Sequence, residues 1–241
     1  MFERNSIARS SVQIKPRSKL CYRDLPRRRS HGAYVSSSSS IIWRAITTEL
    51  PEAFIDASDL RQIPDNQEVF LSPVDDVTFI VEILEKVEED NLLEAAKFHF
   101  DSLAHDNDAQ NNKSIEQIIP SSEPSTQERP APILLSGTQR IKKFNRTTAD
   151  DVLILLALWR LDKYNIDLVL SCNIPVKTDS PETTIVGAEV NVEETKSTFA
   201  KAVGSFKIVD FGLFGARTNV RSQRNSARGH PVYLSYAEDV M

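Results

Sequence analysis

The sequence predicts an α/β protein, an α/β/α sandwich with a mainly antiparallel sheet and disordered termini. Three observations carry that expectation. Apolar segments follow one another through short connections without crossover helices, which is how antiparallel strands are joined. Two stretches place apolar residues at helical spacing, so two amphipathic helices are available to cover the sheet. Both lie in an acidic body, while the ends of the chain are basic and lack a sustained apolar period.

The elements follow in order. Ala45 to Leu50 reads as a first strand, broken by Pro51, and Gln67 to Leu71 as a second. Phe79 to Val87 is a third, despite charges at Glu82, Glu85 and Lys86. From Asp90, a plausible N-cap, the residues Leu92, Ala96, His99 and Leu103 share a helical face. Residues 105–131 are rich in Asn, Asp, Ser and Pro and read as a long surface loop around a short segment, Ser114 to Ile119. Ile133 to Phe144 reads as a strand with a bulge expected at Gly137. Val152 to Trp159 is almost continuously apolar, as a central strand covered on both faces should be. Ile166, Leu168, Leu170, Cys172 and Ile174 alternate with Asn165, Asp167, Val169, Ser171 and Asn173, which are expected mostly to face outward. The link Asp162-Lys163-Tyr164 makes these two strands a hairpin. Ile185, Val192, Phe199 and Val203 lie at helical spacing, and Phe206 to Phe214 reads as a last strand.

Charge divides the chain into three. Of the 241 residues, 1–44 carry ten Lys+Arg against two acids and 217–241 carry four against two. That leaves residues 45–216 with 15 basic and 30 acidic side chains, a balance of -15. Such a body repels nucleic acid and anionic membranes and attracts a basic protein. No stretch approaches the roughly 20 apolar residues of a membrane-spanning helix. The two cysteines, Cys21 and Cys172, have no metal-ligand spacing around them, which argues against a disulfide scaffold or a zinc site. The arm, 1–44, reads as a solvated tail with two targeting alternatives. Its Arg/Ser-rich composition is that of a mitochondrial transit peptide, and Pro26-Arg27-Arg28-Arg29 is a minimal nuclear localisation patch.

Catalytic motifs do not assemble. Asp210-Phe211-Gly212 matches a kinase magnesium motif, but the Gly-rich phosphate loop and the His-Arg-Asp loop that must accompany it are missing. His99, Asp101, His105, Asp106 and Asp108 are close in sequence, yet helical geometry sends them in different directions, so no metal site is expected. No cofactor is implied. The segment from Phe54 to Phe70 differs from a simple charge run. It interleaves Asp56, Asp59, Asp65 and Glu68 with Phe54, Ile55, Leu60, Ile63, Val69 and Phe70 around a proline turn. The apolar residues can anchor the loop on a sheet while the carboxylates point outward. A well-capped turn, with Asp56 or Ser58 as the cap, is the alternative.

Ala45-Ile46-Thr47-Thr48 followed by Phe54-Ile55-Asp56-Ala57-Ser58-Asp59-Leu60-Arg61-Gln62-Ile63-Pro64-Asp65-Asn66-Gln67-Glu68-Val69-Phe70 closely resembles the signature of the Mog-type nuclear import factors, the Ran guanine nucleotide release factors. Weaker matches at Ile80–Glu85, Ala157–Leu161 and Phe206–Asp210 extend the resemblance over about 45–216. It implies a PsbP-like fold and a protein that binds the GTPase Ran, promotes nucleotide release and supports nuclear import, as a monomer of the nucleus that shuttles with the cytoplasm. It implies no enzymatic activity, no nucleic acid and no membrane. The family's acidic Ran-binding cluster falls on Asp56, Asp65 and Glu68, with Asp59 and Arg61 as neighbouring candidates. One departure stands out: the family has Gly-Gly where this chain has Trp43-Arg44, and everything before Ala45 is foreign to it. Either the start of translation differs from the family's or the arm is a targeting segment. The rival functions are an adaptor for another basic protein and an organellar PsbP-like accessory protein.

Overall fold

The computed structural model describes residues 37–122, 124–126, 130–142, 149–178 and 190–215. Its frame is an antiparallel seven-stranded sheet of β3 (Ile55–Asp56), β4 (Gln67–Leu71), β5 (Thr78–Glu85), β6 (Lys113–Pro120), β7 (Ile133–Ile141), β8 (Asp150–Leu161) and β9 (Ile166–Thr178). Their spatial order is β3-β4-β5-β9-β8-β7-β6. A three-stranded sheet joins β1 (Ser37–Ile42), β2 (Ile46–Pro51) and β10 (Lys207–Ile208) in the order β1-β2-β10. Helix α1 (Leu92–Asp106) covers one face of the large sheet; α2 (Val192–Ser205) and the small sheet cover the other. This is the α/β/α sandwich that the sequence predicts.

The core follows from the strand period. Along β8, Val152, Ile154, Leu156 and Leu158 enter the cluster beneath α1, while Leu153, Leu155, Ala157 and Trp159 enter the one beneath α2. That is why the segment reads as continuously apolar. Trp159 stacks on Phe206 at 4.0 Å, joining the central strand to the end of α2. The β8–β9 hairpin closes through a 3-10 turn, Asp162–Tyr164, and Asn165 takes the left-handed conformation (φ 56, ψ 47) that its short polar side chain tolerates.

Several expectations need correction. Asp167, Val169 and Ser171 do not face outward: α1 covers that face of β9, and all three are buried. The cap of α1 is Asn91, whose side chain accepts from the Leu93 amide, rather than Asp90. Helix α2 is capped by Asn191, and Ile185 lies outside the described residues, as does the Phe144 end of the strand expected from Ile133. The last strand is two residues long, because Val209 and Asp210 both donate to the Ala45 carbonyl and Phe211–Phe214 then coils into a 3-10 turn. Within the stretch expected as loop, the short segment Ser114 to Ile119 is part of β6, an eight-residue edge strand. Its side chains are mostly exposed, so backbone pairing defines it and no buried stripe announces it. The register shift lies in β6, between Ile115 and Gln117, opposite Gly137 rather than at it. A Cβ on Gly137 would sit 2.5 Å from the Ser114 carbonyl and 2.7 Å from the Phe100 ring, so the strand and α1 both need the glycine.

Regular structure also starts before Ala45. β1 pairs with β2 from Ser37↔Pro51 to Ile42↔Ile46, using the serine run that composition alone reads as tail. Its hairpin turn holds Trp43 at φ 46 and Arg44 at φ 58. These are the two positions where the sequence resemblance leads one to expect glycine, and the backbone is left-handed at both with Trp and Arg in place.

Candidate functional site

The Phe54–Phe70 block forms the β3 edge of the large sheet. Pro51 ends β2 and its carbonyl accepts from the Phe54 amide at 3.0 Å, a turn that delivers the chain into β3. Asp56 then caps a 3-10 turn, Ala57–Asp59, its Oδ1 accepting from the Ser58 amide at 2.8 Å. Ala57 is fully buried and its carbonyl accepts from both Leu60 and Arg61 at 3.0 Å, which seats the turn on the sheet. A second turn carries Asp65 and closes with the Gln67 amide on the Pro64 carbonyl at 3.0 Å. This turn is tied to β5 three ways. The Ile83 amide donates to the Asn66 carbonyl at 3.0 Å, Asn66 Nδ2 donates back to the Ile83 carbonyl at 3.4 Å, and Gln67 Nε2 donates to Oε1 of the buried Glu82 at 2.7 Å.

Register brings two of the expected site residues onto one face. Asp56 stands opposite Phe70, and Glu68 lies two residues from Phe70 along β4, so Asp56 and Glu68 are diagonal neighbours. Asp65 projects from the turn that starts β4. Asp59, Arg61 and Asp65 are exposed, while Asp56 and Glu68 are half-buried. Asp56 caps its turn with one oxygen, as the capped-turn alternative expects, while Asp59 and Asp65 stand in solvent. The expected apolar anchoring holds only in part. Phe54 packs edge-on against Phe79 at 5.5 Å, and Val69 and Phe70 are buried. Leu60, however, is 66% exposed and Ile55 39%.

A polar cluster that the sequence did not reveal lies beneath α1. Arg160 grips Asp167 with two hydrogen bonds, Nε to Oδ1 at 2.8 Å and Nη2 to Oδ2 at 2.9 Å. His99 Nε2 donates to Asp167 Oδ2 at 2.9 Å, and the Val87 amide adds a fourth bond at 3.2 Å. Burial pushes the Asp167 carboxyl up, but the Arg160 and His99 contacts outweigh it and hold it below the usual carboxylate range. His99 thus turns away from Asp101, His105, Asp106 and Asp108, as helical geometry predicts. Lys113 pairs with Asp101, and His105 stands 3.6 Å from Asp106. Among the described residues no group of three His, Cys, Asp or Glu is placed to hold a metal ion, and no helix is long and apolar enough to cross a membrane. Burial pushes the Cys172 thiol up, which disfavours a thiolate there. An open hollow of about 370 Å³ lies at the far end of β4, bordered by Leu71, Asp75, Asp76 and Asn173, away from Asp65.

Residues 44–175 match the family model described as Ran-interacting Mog1 protein. A Ran guanine nucleotide release factor of Danio rerio is 34% identical over 175 residues, covering 71% of this chain and 96% of that protein. The Homo sapiens protein of that name is 40% identical over 134 residues, covering 54% and 72%. The crystal structure of the Saccharomyces cerevisiae Ran-binding protein Mog1p matches 76% of this chain and 100% of its own, at 27% identity and a TM-score of 0.58. The chain belongs to the Mog1 family.

Proposed function

We propose that this protein binds the GTPase Ran through its acidic β3–β4 edge and promotes release of the bound guanine nucleotide, in support of nuclear protein import. The observation that carries the reading is the Phe54–Phe70 block. In a chain of this family it presents Asp56, Asp65 and Glu68 on one edge, with the Asp65 turn tied to β5. Relatives bear the names Ran guanine nucleotide release factor and nuclear import protein Mog1, which supports the same partner and process.

Release needs no bond chemistry in this protein. A partner that binds nucleotide-free GTPase more tightly than the loaded form weakens nucleotide binding by the same factor. In this reading Asp56, Asp65 and Glu68 dock on a basic patch near the nucleotide site of Ran and compete for the cations that hold the phosphates. Asp59 and Arg61 border the contact. Close, desolvated charge pairs couple by about 1.5–7 kcal/mol, enough for a large change in nucleotide affinity. The protein acts as a monomer in the nucleus and exchanges with the cytoplasm. The test is release of a fluorescent guanine nucleotide from Ran when the purified chain is added in excess unlabelled nucleotide. Faster release than from Ran alone supports the reading; an unchanged rate overturns it and favours an adaptor that only binds a basic partner.

A further inference from the structure

The acidic edge has an apolar side chain in its middle. Leu60 follows the 3-10 turn, in a right-handed conformation (φ -107, ψ -35), with its amide on the Ala57 carbonyl at 3.0 Å. Ala57 is itself 0% exposed, so the backbone beneath Leu60 is seated on the sheet while the leucine side chain stands in solvent, 66% exposed. Asp59 and Arg61 flank it in sequence, Asp56 caps the turn that holds it, and exposed Ile55 lies at the start of the same edge. The sequence pattern casts Leu60 as an anchor into its own sheet, and the fold leaves it outside. A single exposed leucine on a surface is ordinary. One held on a hydrogen-bonded turn, inside the carboxylate surface proposed to dock a GTPase, has the form of an interface anchor with a charged rim.

We infer that Leu60 is the apolar anchor of the Ran interface, seated in a recess whose border carries Lys or Arg side chains that face Asp56, Asp59 and Asp65. The inference rests on the acidic edge being the Ran-binding surface. It divides the work between the two kinds of residue. Exposed carboxylates at the rim, Asp59 and Asp65, also act at a distance, so they raise the association rate and give it a salt dependence. A buried leucine acts only in contact, so it sets how long the complex lasts. Removing most of its contact area should weaken binding by about 10–100-fold.

The experiment is surface-plasmon kinetics of the full chain on immobilised nucleotide-free Ran, across a salt series, with the wild type, Leu60→Ala, Leu60→Met, Asp65→Asn and Ile119→Ala. Ile119 is 45% exposed on β6, at the opposite edge of the sheet, and serves as the control. Leu60→Ala is expected to dissociate about 10–100-fold faster with its association rate and salt slope unchanged. Leu60→Met should restore the residence time, Asp65→Asn should slow association and flatten the salt slope, and Ile119→Ala should do nothing. A Leu60→Ala dissociation rate indistinguishable from wild type overturns the inference while leaving the acidic edge intact. A wild-type chain that does not bind Ran overturns the reading beneath it and this inference together. Circular dichroism of each variant confirms that the fold is retained.

Discussion

The two faces of the large sheet are covered in different ways. On the α2 side the packing is almost wholly apolar: Phe79, Trp159, Phe199 and Phe206 fill it, and buried Thr48 is satisfied by the Ala202 carbonyl at 2.8 Å. On the α1 side buried Glu82, His99, Gln139, Asp167 and Ser171 are set among the aliphatic residues. Most of these have named partners. Gln139 receives Asn107 at 2.9 Å and donates to the Phe100 carbonyl at 3.2 Å, and Glu82 receives Gln67. The apolar face supplies the larger share of burial. The polar face ties particular elements to particular neighbours, and through Glu82 and Gln67 it reaches the strand that carries Glu68. Hydrogen bonds are more directional than apolar contacts, so the Gln67–Glu82 bond on the α1 side adds to the backbone pairing and the Phe54–Phe79 contact that place the acidic edge.

This contrast can be broken from either side. Trp159→Ala empties the stacked site against Phe206 and should cost about 3–5 kcal/mol, read as a lowered urea midpoint. Asp167→Leu strands Arg160 and His99 without their shared partner and should cost a comparable or slightly smaller amount, about 3 kcal/mol. Replacing all three with apolar residues of similar volume should recover much of that loss, which separates an uncompensated charge from a packing defect. The same carboxylate predicts a pH dependence. Its folded value lies below the unfolded one, so its contribution is complete above about pH 4 and is lost as pH falls through the folded value. Urea midpoints should fall more steeply below that pH in the wild type than in Asp167→Asn. Gly137→Ala, which drives a methyl into the Ser114 carbonyl and the Phe100 ring on the α1 side, should cost about 1–3 kcal/mol by the same measurement. The smallest effect has the opposite sign. Arg44→Gly relieves a left-handed arginine in the β1–β2 turn and should stabilise the chain by up to about 1 kcal/mol, seen as a raised melting temperature. Trp43→Gly should gain less, because half-buried Trp43 also packs against the core.

The contrast between the faces also explains what the sequence discloses. Elements whose two faces are apolar, such as β8, or whose one face is, such as α1, are legible because burial writes a period into them. Strand β9 is half legible: Ile166, Leu168, Leu170, Cys172 and Ile174 line the α2 side as their alternation predicts, but Asp167 and Ser171 look like solvent-facing residues and are buried. No local signal distinguishes a carboxylate in water from one held by an arginine seven residues earlier. β6 shows in the sequence only as a short segment, Ser114 to Ile119, within a loop, because an edge strand with exposed side chains has no stripe, and β1 is hidden because a serine run has none either. At the candidate site the carboxylates stood out as a composition anomaly, and their assembly into one edge follows from β3–β4 pairing. The exposure of Leu60 could not be read from sequence, since alternation with charges describes a buried anchor equally well.

The acidic edge is best tested by charge reversal with the fold held constant. Asp65→Lys/Glu68→Lys changes an exposed and a half-buried side chain at the β4 edge, so its circular dichroism spectrum and urea midpoint should stay close to wild type. Affinity for nucleotide-free Ran, measured by fluorescence titration of the full chain, should fall below detection, because opposite charges then meet like ones across the interface. Unaltered affinity in a folded double variant would contradict the assignment of Ran binding to this edge.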